Sequence, residues 1–198
     1  MNRRNKAILL ALSILIILSS STLVDATKYY TMDDGHHGGT YGSSTSHSVQ
    51  QEEARVYADA PFGPVEGWAW LAVEVTLSSS ERVDMDAEAY LTAYLNTWGS
   101  GSAEIHVYFR CIDPDDFSIE WGSEVWDHDE ASGGDEPWDD EKISDDFTDG
   151  DFPMSTPSGT WLFVVHFEFD GSWGARLQRS SSDTGKAILE VDTITVSY

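Results

Sequence analysis

Cysteine is almost missing from this sequence: Cys111 stands alone in 198 residues. A lone thiol excludes an internal disulfide, so the fold must hold by apolar burial, which a chain of this length can supply. An inert buried thiol is the expectation for Cys111, and pairing with another chain is the alternative. Positive charge is scarce as well. Eleven Lys and Arg stand against 35 Asp and Glu, for a formal charge of −24. Such a surface repels phosphates, which makes nucleic acid and anionic membrane poor partners, and it attracts cations. Also missing are a Gly-rich phosphate loop, a Ser nucleophile elbow and the His/Cys spacings of metalloenzymes. His106, His128 and His166 are scattered over separate segments. No catalytic constellation stands out, and a non-catalytic protein is expected.

Long apolar runs are equally rare. The one at Ala7 to Leu18 follows a basic stretch with Arg3, Arg4 and Lys6, and precedes Val24–Asp25–Ala26. That order is that of a secretory signal peptide over residues 1–26, cleaved after Ala26, and implies an extracellular or cell-surface protein. Two alternatives are a membrane anchor reaching Val24 and a pilin-type cleavage at Lys6–Ala7. Spanning a bilayer takes about 20 apolar residues, which the segment lacks. Residues 27–51 have no apolar period and are rich in Gly, Ser and His, as in a flexible leader. His36, His37 and His47 lie there and could catch a transition metal, but a mobile segment makes a weak site.

From residue 52 the apolar period becomes two, so 52–198 is expected to be a single domain. Val83, Met85, Ala87, Ala89, Leu91, Ala93 and Leu95 alternate with polar residues and predict a long strand. A helix through Ala87, Leu91, Tyr94, Leu95 and Trp98 competes less well. Gly99 to Ser102 reads as a hairpin loop, followed by a strand with Ile105, Val107, Phe109 and Cys111 inward. Trp161, Phe163, Val165, Phe167 and Phe169 mark another strand, with His166 and Glu168 on its polar side. Residues 187–197 close the chain, and 54–60, 66–78, 117–127 and 174–180 are further candidates. About eight strands, no mature helix and no internal repeat predict an all-β antiparallel β-sandwich or jelly roll.

One segment breaks the rhythm. Twelve acidic residues fall between Asp127 and Asp151, with Lys142 the only basic one. It is expected to be an insertion without strand pattern, and calcium is the natural counter-ion for flexible carboxylate loops. Asp145, Asp146, Asp149 and Asp151 are the candidate ligands. Phe147 at the third ligand position and the missing closing Glu exclude an EF-hand.

Eight tryptophans are the other abundance. Trp68 and Trp70 lie two apart on a strand and share a face; Tyr90 and Tyr94 share the polar face of theirs. Exposed aromatic rows can stack on sugar rings, so these four are candidate glycan-binding residues. On the same polar face, Asp84–Met85–Asp86–Ala87–Glu88 resembles the Glu-x-Asp-x-Glu catalytic strand of jelly-roll glycoside hydrolases. The resemblance implies a carboxylate pair there. It departs at Asp84, where that family has a Glu nucleophile. Four residues at ~3.3 Å each also put Asp84 and Glu88 about 13 Å apart, against about 5–5.5 Å for a retaining pair. The leading expectation is therefore a non-catalytic surface structural or assembly protein, whose leader could pair with a neighbouring copy by strand addition. A secreted, calcium-dependent glycan-binding module is the alternative, and a jelly-roll hydrolase the third.

Overall fold

A computed structural model describes residues 36–38, 44–50, 52–60, 63–131, 133–147 and 156–198. The expected signal peptide, Asp149 and Asp151 lie outside the described residues. The regular elements of the described residues are all strands: β1 (His36–Gly38), β2 (Ser44–Gln50), β3 (Glu53–Ala60), β4 (Val65–Leu77), β5 (Asp84–Thr97) and β6 (Ser102–Ile112). There follow β7 (Ile119–Ala131), β8 (Asp135–Phe147), β9 (Gly159–Gly171), β10 (Ala175–Gln178) and β11 (Ala187–Ser197). All pairs are antiparallel, and they form two sheets, as the alternation predicts. The first runs β1-β4-β9-β6-β7. In the second, β10 and β11 lie end to end between β3 and β5, with β2 outside β3 and β8 outside β5.

Period two places one row of each strand between the sheets. The second sheet contributes small residues, Ala54, Ala58 and Ala60 on β3 and Ala87, Ala89 and Ala93 on β5. The first contributes Phe109, Phe163, Phe167 and Phe169, all fully buried. Large side chains from one layer thus fill the space that small ones leave in the other, as dense packing requires. Losing one such phenylalanine would cost about 3–5 kcal/mol. Cys111 joins this core, where burial raises its thiol pKa steeply and removes it as a nucleophile. The helix alternative for 87–98 fails because the register of β5 against β11 and β8 runs along its length.

Two expectations need correction. Part of the leader is strand: β1 pairs β4, and β2 pairs all of β3 from Gln50↔Glu53 to Ser44↔Asp59. A strand-addition mechanism would first have to break that pairing within the chain. The acidic insertion is strand too. Residues 127–131 finish β7 and 135–147 form β8, the edges of the first and second sheets. Their turn is held by Thr97, whose Oγ1 accepts from the N–H groups of Gly133 and Gly134 at 3.2 and 3.1 Å. Trp126 meets Trp138 edge-on at 5.5 Å, His128 meets Trp138 at 4.9 Å, and farther along β8 Ile143 is buried in the core. Carboxylates on both edge strands discourage edge-to-edge pairing with other chains, which accounts for their crowding without an ion.

Candidate functional site

Three strands far apart in sequence, β4, β9 and β6, are neighbours in the first sheet, and their even-numbered residues face away from the core. Register aligns these in rows. Glu66, Asp170 and Glu104 form one; Trp68, Glu168 and His106 the next; Trp70, His166 and Tyr108 the third; Ala72, Val164 and Arg110 the fourth. Ala72 and Val164 of the fourth row are apolar and covered, and with Trp70 and Leu162 they form a small second cluster against which Trp68 and Ile112 pack. The face therefore grades from a closed apolar end to a carboxylate-rich end.

Rings run across its middle. Trp68 meets His166 edge-on at 5.5 Å, His166 lies 5.9 Å from Tyr108, and Tyr108 stacks on His106 at 5.7 Å. The guanidinium of Arg110 sits 3.8 Å from the Tyr108 ring centre, and its Nη1 is 2.5 Å from His166 Nδ1. Guanidinium only donates, so Nδ1 is the acceptor and the ring proton is on Nε2. Burial, reinforced by the Arg110 charge, holds His166 down to about 3, so the imidazole is neutral. Its Nε2 is buried without a hydrogen-bond partner among the described residues. Burial and the nearby Glu168 and Glu124 push the Tyr108 phenol up to about 12.

The carboxylates at the other end feel one another. Glu66, Glu168 and Asp170 each bring an oxygen within 4.8 Å of the other two. Burial, then the Asp170 charge, raises Glu168; burial, then Glu66, raises Asp170. This trio could hold a metal ion. It is not the set the acidic composition suggested. Asp145 and Asp146 lie on β8 at positions opposite Ala87 and Asp86, on the other sheet.

The four aromatic candidates separate. Trp68 is partly exposed and Trp70 buried, both on the outward face of the first sheet. Tyr90 and Tyr94 are half-buried on the outward face of the second. There Tyr90 donates to Glu88, which also pairs with Lys142 at 2.5 Å. The hydrogen bond from Lys142, then that from Tyr90, holds the Glu88 carboxyl below the usual range, the wrong direction for a general acid. Burial and then a hydrogen bond to Asp135 raise Tyr94. Sequence inspection found Trp68 and Trp70 from their spacing. It placed His166 and Glu168 on a polar face but could not join them to Tyr108, Arg110 or Glu66.

No family model matches the chain, and no curated protein matches it. Among solved structures, a loop-swap mutant of Neocallimastix patriciarum Xyn11A is similar at 10% identity and a TM-score of 0.39, covering 86% of this chain and 95% of that one. TmCBM61 in complex with β-1,4-galactotriose is similar at 10% identity and a TM-score of 0.29, covering 81% and 85%. A CBM4 structure is similar at 12% identity and a TM-score of 0.28, covering 83% and 86%.

Proposed function

We propose that this chain is an exported, non-catalytic glycan-binding β-sandwich whose binding surface is the outward face of the first sheet, centred on Trp68. The observation that carries this is the line of rings from Trp68 through His166 and Tyr108 to His106, with Arg110, Glu168 and Asp170 beside it. A flat ring covers the C–H face of a sugar, and planar charged groups pair with its hydroxyls. Strand backbones on a packed core hold these groups in place, which lowers the ordering cost of binding. Any cation, calcium included, would enter at Glu66, Glu168 and Asp170, and chelation would then weaken the glycan complex.

The test is a glycan array followed by calorimetry on the best ligand. Trp68→Ala should weaken binding at least tenfold, and Tyr90→Ala with Tyr94→Ala should leave it unchanged. A wild-type chain that binds no glycan would overturn the proposal. Hydrolysis of the bound glycan is a second reading, favoured by the raised carboxyls of Glu168 and Asp170 lying side by side, as a general acid requires. Release of reducing ends by wild type and its loss in Glu168→Gln would establish that reading; an intact glycan after prolonged incubation would dismiss it.

A further inference from the structure

Two exposed tryptophans are carried on neighbouring loops, and neither belongs to the face described above. Trp98 follows β5 and Trp173 lies between β9 and β10, with exposures of 37% and 60%. Both loops are connections from one sheet to the other at the same end of the sandwich; β5 and β6 belong to different sheets, so the loop at 99–102 is not the hairpin its Gly and Ser suggested. They are bolted to each other by backbone. Trp98 N–H donates to Gly174 O at 2.7 Å, Gly174 N–H to Ala60 O at 2.7 Å, and Ser172 N–H to Ser102 O at 2.8 Å. The approach is too close for side chains. A Cβ on Gly101 would stand 2.4 Å from Gly174 O and 2.5 Å from Trp173 O, and one on Gly174, where φ is +75°, 2.2 Å from Trp98 O. The indoles are therefore carried on a fixed frame.

Polar groups stand beside them. The Arg176 guanidinium lies 5.5 Å from the Trp98 ring centre and is held by Asp59 at 3.2 Å. Asn96 is opposite Arg176 on β5 and donates to Asp135. Asp59 Oδ1 and Arg176 Nε are buried, but the two side chains as wholes remain 24% and 37% exposed, so other atoms of the pair face solvent. The arrangement thus offers exposed indoles with a donor and an acceptor beside Trp98.

The area selects the occupant. At roughly 150–250 Å² per aromatic side chain, the two exposed indole surfaces together offer roughly 200 Å². A stable protein interface needs about 800 Å² from each partner, so a second copy or another protein is poorly served. An anionic bilayer is repelled by a chain of formal charge −24 and by Asp59 and Asp135 at the site. An uncharged ligand of one or two rings, apolar on its faces and rich in hydroxyls at its edge, fits both the area and the polar groups. We propose that the two adjoining loops form a separate carbohydrate site, with Trp98 and Trp173 stacking on sugar rings and Arg176 and Asp59 bonding their hydroxyls.

The site is independent of the Trp68 face, and the experiment keeps them apart. The full chain, Trp98→Ala/Trp173→Ala, Trp173→Ala alone, Trp98→Phe/Trp173→Phe and Trp68→Ala are compared by calorimetry. The probes are hexasaccharides of glucose, xylose, mannose and galactose, with sedimentation measured in parallel. The double alanine variant should lose at least tenfold in affinity for one of them, Trp173→Ala several-fold, and the phenylalanine pair should recover most of it. Trp173 is the more exposed indole, so its single variant remains informative if the double one fails to fold. Loss in the loop variants with Trp68→Ala unchanged supports this site and removes the Trp68 face. Loss in Trp68→Ala alone does the reverse. Unchanged affinity in every loop variant, no binding of any hexasaccharide by wild type, or a change in oligomeric state in place of sugar binding would overturn the loop site.

Discussion

On the outward face of the first sheet, Trp70 and His166 are at least nine-tenths covered and Arg110 is half-buried among rings. On that of the second, Glu88, Tyr90, Thr92 and Tyr94 stay partly open to water. Both faces belong to antiparallel strands on one core. They differ in what lies side by side. In the first sheet, register puts Trp68 beside Glu168 and Trp70 beside His166, so apolar bulk and ionisable groups share a desolvated layer. In the second, Glu88 is paired with Lys142 and accepts from Tyr90 at the surface, where its charge is screened by solvent. Desolvation raises carboxyl pKa values on the first face, and pairing lowers that of Glu88 on the second. The lesson is that an acidic residue's chemistry here follows its neighbours across strands, not the density of acids along the chain.

Three substitutions break or sharpen this contrast. The largest effect is expected from Trp70→Ala, which should cost about 3–5 kcal/mol in urea unfolding because it empties a covered position. A cost no greater than that of Tyr94→Ala would mean that the two faces are equally open. The next concerns pH. Glu168 and Asp170 have raised folded pKa values, so the folded state binds their protons more tightly and stability falls as pH rises through the carboxyl range. Glu168→Gln should therefore gain stability over wild type from about pH 4.3 upward, the ordinary Glu range, and match it below. A difference independent of pH would argue against a desolvated carboxyl. Glu88 has the opposite sign: its contribution is present above the unfolded pKa and lost as pH falls through the folded one. The smallest effect belongs to Lys142→Ala, whose exposed pair with Glu88 should leave the melting temperature unchanged; a clear drop would show that the second face is less solvated than its exposure implies.

The strands that could be read in advance are those whose alternation is unbroken. β5, β6 and β9 each keep one inward row over most of their length, because period two is a local property of the extended backbone, whereas β11 switches its inward row from Leu189 and Val191 to Ile194 and Val196 at a bulge. β8 escaped notice because its period is interrupted. The register slips between Leu91 and Ala93, and Asp140 takes a positive φ of 63° beside Thr92, as at a bulge. Carboxylates then fall out of phase and the segment reads as loop. β7 slips likewise where Val107 and Tyr108 face it. The leader residues in β2 escaped for another reason: Ser44–Gln50 carries almost no apolar side chain, and its pairing with β3 is made by backbone hydrogen bonds.

What the residues determined alone was the all-β two-layer fold, the burial of Cys111 and the shared face of Trp68 and Trp70. Each follows from spacing within one strand, where neighbours in sequence are neighbours in space. The candidate site was decided by tertiary structure. Glu66 and Glu168 are a hundred residues apart and meet because β9 lies between β4 and β6, an order that no local pattern encodes. The loops carrying Trp98 and Trp173 meet for the same reason, through backbone contacts between connections that sequence separates by about seventy residues.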